Sequence, residues 1–150
     1  MDIRVLNSID IKKVVELWYE TSVLAHNFIS PDYWEENKDA MANVYLPNSE
    51  TYLAIKENAI VGFISMTDNY LAALFVKTDM QGNGIGKKLL NYIKERRDTI
   101  QLKVYKKNAR SIQFYEIQDF KTLSESNDEN TNEIENLMEW NKNGSSKNEY

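Results

Sequence analysis

The sequence predicts one domain of the α/β (α+β) class: a mixed, mostly antiparallel central sheet of about seven strands, flanked by about four helices. Three observations predict it. Short apolar segments of strand length recur between turn-forming residues. Other stretches space their apolar residues helically or carry helix-start signals. Across residues 74–105, a strand, a glycine loop, a helix and another strand follow in order, which implies a right-handed crossover between parallel neighbours. At 150 residues the chain suffices for one buried core and is too short for two, so residues 1–140 are read as the domain and 141–150 as a polar tail.

Residues 2–6 make the first strand, with Ile3 and Val5 on one face and Asn7-Ser8 as a polar stop. Ser8 is the expected cap of a helix running to Ala25, on which Ile11, Val14, Val15 and Trp18 share a face. After His26-Asn27-Phe28-Ile29, the pair Ser30-Pro31 starts a second helix carrying Tyr33, Trp34, Met41 and Tyr45, which ends at Pro47-Asn48. Residues 51–55 and 59–66 form a hairpin about Glu57-Asn58; a turn at Thr67-Asp68-Asn69 leads to a buried strand at 70–76. Ile85, Leu89 and Ile93 form a helix seam that ends in the basic residues 94–97. A fifth strand spans 99–105 and Asn108 caps the last helix; strands at 120–125 and 134–140 close the sheet about a solvated, acidic tip at 126–132.

Composition excludes several functions. Hydrophobic residues make up 42% and aromatic residues 11% of the chain, as in ordinary globular proteins. There is no cysteine, which removes disulfides, thiolate zinc sites and a cysteinyl acyl-enzyme, and the single histidine, His26, removes multi-histidine metal sites. No metal is expected. A net charge of −5 argues against nucleic acid and suits a cationic or amine-bearing substrate. No apolar run approaches the roughly 20 residues needed to span a bilayer, and Met1-Asp2-Ile3-Arg4 lacks a signal-peptide pattern, so the expectation is a cytoplasmic protein without membrane contact, monomer or homodimer.

The most informative stretch joins Leu74-Phe75-Val76 to Gln81-Gly82-Asn83-Gly84-Ile85-Gly86 and Lys87-Lys88. Alternate glycines let backbone N–H groups turn inward together, and the following helix adds its positive end, so a phosphate or pyrophosphate is the natural occupant. The dinucleotide fingerprint fails because Lys87 stands where glycine or alanine is needed; the Walker A loop fails at Gln81 and Lys88. The pattern Q/R-x-x-G-x-G/A fits and resembles motif A of the GNAT superfamily of acetyl-CoA-dependent N-acetyltransferases. Asn108-Ala109-Arg110-Ser111-Ile112-Gln113-Phe114-Tyr115, followed by Asp119-Phe120, resembles that family's second signature, Asn-x-x-Ala-x-x-Phe-Tyr-x-x-x-Gly-Phe, with Ser111 for alanine and Asp119 for glycine. The likeness spans about residues 3 to 140.

The resemblance implies a GNAT fold in which acetyl-CoA wedges into a splayed pair of parallel strands. It assigns Leu74, Phe75 and Val76 to the pantetheine and acetyl carbonyl, and Gln81, Gly82, Asn83, Gly84, Ile85, Gly86 and Lys87 to the pyrophosphate. Asn108 would contact the pantetheine arm, and coenzyme A would leave as product. Attack of an amine on a thioester needs a proton removed from the amine and another delivered to the departing sulfur. A phenol near pKa ~10 suits the second task against a thiol near ~8.5, and the family's motif puts its general acid at Tyr115. The strand at 70–76 carries no acid; His26 or Asp68 is the candidate base. Tyr33 and Trp34, with Tyr19 and Tyr45, are candidates for an acceptor groove. The segment 26–34 resembles a subgroup of small bacterial members, some of which acetylate protein lysines, so a lysine side chain is the leading acceptor and a small-molecule amine is next. The rival expectations are a non-catalytic acyl-CoA-binding module of the same fold and a nucleotide-binding protein using the same loop.

Overall fold

In the computed structural model, which describes residues 1–144, alternation along the strands divides the apolar residues between two cores. Leu53 and Phe63 are buried in one cluster while their chain neighbours Ala54 and Ile64 are buried in another. The sheet is therefore covered on both faces. Its strands are β1 (Asp2–Val5), β2 (Glu50–Lys56), β3 (Ala59–Thr67), β4 (Tyr70–Val76), β5 (Thr99–Tyr105), β6 (Lys121–Asp128) and β7 (Glu133–Asn141). They lie in the order β1-β2-β3-β4-β5-β7-β6. Only β4 and β5 pair in parallel.

Helix α1 (Ile11–Ala25) buries Val14, Val15, Leu17 and Trp18 against β3 and β4. Its start is tied down by Asp10, whose carboxylate accepts the Asn7 N–H at 2.9 Å and both guanidinium nitrogens of Arg4 at 2.8 and 3.0 Å. Asp10, rather than the expected Ser8, does this work, and Arg4 holds its carboxyl below the usual range. The second helix is broken where continuity was expected. α2 (Pro31–Glu36) stops at Asn37, whose side-chain amide donates to the Tyr33 carbonyl at 2.7 Å; α3 (Lys38–Ala40) then loosens into a π turn over Met41–Tyr45.

On the other face, α4 (Ile85–Lys94) buries the expected seam Ile85, Leu89 and Ile93 against β2, β3 and β4. Tyr115 of α5 (Ala109–Ile117) joins the same core. The end of α5 is a Schellman motif: Phe120 N–H bonds the Tyr115 carbonyl at 2.9 Å and Asp119 N–H bonds the Glu116 carbonyl at 3.0 Å. Asp119 adopts φ +72° there, the left-handed conformation that glycine takes more cheaply. Lys94 reinforces the turn by donating to the Gln118 carbonyl at 2.6 Å. The closing hairpin is longer than expected, with β6 running to Asp128 and β7 starting at Glu133. Residues 142–144 form a turn after β7, and the rest of the expected polar tail lies outside the described residues.

Candidate active site

β4 and β5 hold each other at one end only. Tyr70 stands opposite Gln101, and the Gln101 N–H donates to the Asn69 carbonyl at 2.9 Å; past that point the ladder carries no further pair. The β3–β4 register slips between Ser65 and Met66, leaving Ala72 as an extra residue on β4. Such a bulge bends the strand that carries it, here close to where β4 leaves its parallel neighbour.

The two-residue alternation of the ladder decides which backbone groups face the gap. Lys77 N–H donates to Val61 on β3 at 2.8 Å, so Phe75, two residues earlier, also turns its main chain toward β3. Leu74 and Val76 therefore present theirs to the gap, and the Val76 carbonyl accepts the Gln81 side chain at 3.0 Å. The Phe75 main chain is paired with β3, while the residue still lines the cleft. Opposite, Gln101 and Lys103 of β5 turn their main chains toward β4, and burial raises the pKa of the Tyr70 phenol beside them.

The glycine loop opens at the wide end of the gap. Gly82 and Gly84 sit at φ +83° and +80°, and a Cβ built on either would meet nothing within 4 Å. The loop is thus open to solvent, not folded onto its own sheet. Lys88 N–H makes the first bond of α4, to the Gly84 carbonyl at 3.0 Å, so the amides before it have no intrahelical acceptor. Asn83 braces the loop through the Met80 carbonyl at 3.2 Å. Gly86 is the packed member: its Cβ position lies 3.5 Å from Phe114.

From this loop a cleft of about 300 Å³ runs through the gap, lined on one face of the sheet by Tyr115, Ser111 and Leu102 and on the other by Trp18, His26 and Trp34. That volume is at the lower edge of ligand pockets, which hold ~300–1,000 Å³. Tyr115 is almost fully buried, and burial pushes its phenol well above the usual range, within electrostatic reach of Tyr70. It is a more firmly held proton than its residue type alone suggests. Tyr70, which also lines the cleft, was missed because it reads as the outward first residue of a strand. A second concavity, beside Arg4 and Asp10, is lined by an ion pair already made.

The two candidate bases fare poorly. His26 is buried, stacked on Trp34 at 5.1 Å between ring centroids, and burial lowers its pKa to about 4. Its Nε2 is occupied with Asn108 Nδ2 at 3.4 Å. Asp68 sits in the β3–β4 turn at φ +53°, at the closed end of the strand pair and off the cleft wall; its carbonyl accepts Arg97. Of the aromatic candidates Trp34 reaches the cleft wall. Tyr33 packs on Trp34 at 4.9 Å just outside, Tyr19 lies under Lys38, and Tyr45 is exposed. Asn108 lines the cleft and caps α5, accepting the Ser111 N–H at 3.2 Å.

A parted parallel pair, an anion-cradling loop at its mouth and a buried phenol in its wall form the build of a group-transfer enzyme whose donor carries both phosphates and amides. Comparison with known proteins agrees. The acetyltransferase (GNAT) domain family matches residues 19–136. Peptidyl-lysine N-acetyltransferase YiaC of Escherichia coli (strain K12) is 34% identical over 112 residues, covering 74% of this chain and 77% of that protein. The solution structure of apo-form YjaB from Escherichia coli superposes with a TM-score of 0.82 at 23% identity, over 93% of this chain and 96% of that one. Salmonella typhimurium yncA, solved with its cofactor acetyl-CoA, gives 0.67 at 15% identity, over 95% and 94%. The chain belongs to the GNAT family of acetyltransferases. It is an N-acetyltransferase of a class whose acetyl donor is acetyl-CoA. Among the described residues no group of three or more His, Cys, Asp or Glu side chains is placed to hold a metal ion, and no helix is long and apolar enough to cross a membrane.

Proposed function

We propose that the enzyme passes the acetyl group directly from acetyl-CoA to a primary amine, with a lysine side chain of a protein or peptide as the preferred acceptor and a small-molecule amine next. The observation that carries this reading is the gap between β4 and β5, with the main chains of Leu74 and Val76 turned into it and Tyr115 in its wall. Backbone groups that a sheet leaves unpaired are ready partners for an amide-bearing chain. The amides of residues 82–87, at the positive end of α4, suit a diphosphate, with Gln81 bracing the loop to β4. Asn108, fixed by Ser111 and His26, stands where a pantetheine amide would pass.

Bound there, acetyl-CoA supplies an activated thioester carbonyl. The residues do the rest. Main-chain N–H groups facing the gap stabilise negative charge on the carbonyl oxygen. Tyr115, kept neutral by burial, delivers its proton to the departing sulfur. The acceptor approaches from the opposite face, where Trp34 and Tyr105 offer flat aromatic walls. The name of the YiaC relative favours lysine in a polypeptide, and we place the protein in the cytoplasm with that substrate.

A thiol-release assay over lysine peptides, N-terminal amines and polyamines tests the proposal. Fastest release with lysine peptides supports it. Release with polyamines alone would replace the acceptor, and acetyl-CoA binding without release for any amine would leave only a binding module.

A further inference from the structure

The transfer reaction requires that an amine arriving as an ammonium lose a proton inside the cleft, where His26 has a lowered pKa and an occupied Nε2 and Asp68 lies off the wall. Among the described residues that line the cleft there is one carboxylate, Glu135 of β7. It lies opposite Tyr105 of β5 in the ladder. The other acids on the two strands of this hairpin are engaged: Glu133 with Lys107 at 3.2 Å, Glu125 with Lys106 at 3.1 Å, and Glu139 with Gln101 at 2.7 Å. Asp128 accepts the Tyr105 hydroxyl at 2.8 Å and the Asn130 N–H at 3.0 Å.

We propose that Glu135 receives the acceptor's ammonium group and takes its proton, a catalytic role that rests on the transfer reading above. Tyr105 of β5 stands opposite it, and Lys103 of β5, Asp128 of β6, Tyr33 of α2 and Tyr70 of β4 lie within its electrostatic reach. Two carboxylates against one lysine leave the approach negative, which draws in an ammonium. Partial burial and the Asp128 charge raise the Glu135 carboxyl above its ordinary range, which makes it a stronger proton acceptor than a free glutamate.

The protons balance. An N–H bond of the ammonium breaks as an O–H bond forms on Glu135, freeing the nitrogen lone pair. The C–N bond forms and the C–S bond breaks; sulfur takes the Tyr115 proton, and the second nitrogen proton restores Tyr115. Glu135, only half-buried, releases its proton to solvent.

Glu135→Gln keeps the shape and removes the base. The expected result is a fall in kcat/KM for a lysine tetrapeptide of about 100-fold, with acetyl-CoA affinity within about twofold by calorimetry. The acid limb of the pH–kcat/KM profile disappears, and Glu135→Asp restores it in part. Binding of the tetrapeptide to the donor-free protein weakens about tenfold. Unchanged rate, profile and peptide affinity in Glu135→Gln, with an active wild type, would overturn the assignment. Wild-type protein that turns over no amine would refute the transfer reading instead, and the peptide-binding arm then judges Glu135 on its own.

Discussion

Asn108 and His26 clasp each other across the cleft, and the clasp fixes the state of both. Asn108 Oδ1 accepts the Ser111 N–H at 3.2 Å, which turns its Nδ2 toward His26 Nε2 at 3.4 Å. An amide NH₂ can only donate, so Nε2 accepts and the proton of the neutral ring sits on Nδ1. Protonation would set two donors against each other inside an aromatic cage of Phe28, Trp34 and Tyr105.

A dependence of stability on pH follows. The His26 pKa falls from 6.5 to about 4 on folding, so between those values the unfolded chain binds the extra proton. The contribution is complete above pH 6.5 and is lost as pH falls toward 4, amounting to roughly 3 kcal/mol. Urea unfolding at pH 7 and pH 4.5 should show that loss in wild type and much less of it in His26→Gln. An equal loss in both would remove His26 from the account.

Tyr115→Phe should lower kcat by roughly 10- to 10³-fold while leaving acetyl-CoA affinity unchanged. Because burial pushes this phenol up, wild type should show no alkaline fall in rate below about pH 10 from this group. Stopped-flow thiol release and calorimetry read both, and undiminished turnover in the variant excludes Tyr115 as the acid.

Gly84→Trp places a large side chain at φ +80° in open space. Folding loses only about 1 kcal/mol from the left-handed backbone. Acetyl-CoA affinity should fall at least about tenfold, since the ring covers the loop amides. Affinity equal to wild type would detach the loop from the diphosphate.

Asp119→Gly should stabilise the fold by about 1 kcal/mol, a rise in Tm of about 2–4 °C, by relieving a Cβ at φ +72°. Calorimetric melting checks it. A lower Tm would mean that the Asp119 side chain contributes more than its backbone strain costs.

What the chain disclosed in advance was whatever depends on local spacing. The seam Ile85, Leu89, Ile93, the two-residue turn at Glu57-Asn58 and the cap at Asn108 each follow from neighbours a few residues apart. The glycines at 82 and 84 announced their positive φ for the same reason. What stayed hidden depends on register between distant strands. Glu135 between Ile134 and Asn136 carries no local sign of a site, and only the β5–β7 ladder and the gap beside it turn that position toward the cleft. Asp128 read as part of a solvated tip until Tyr105, 23 residues away, bonded it. The break at Asn37 was equally invisible, because its cause is an amide reaching back to Tyr33 within a stretch of good helix formers.

The single Tyr70–Gln101 pairing means that the sheet is two half-sheets hinged at one corner. A donor whose amides bridge Leu74 to β5 would zip that seam shut, so loading the enzyme and completing its architecture become one event. Amide exchange along both edges should slow when the donor is present, and the empty protein should come apart first along the line where it works.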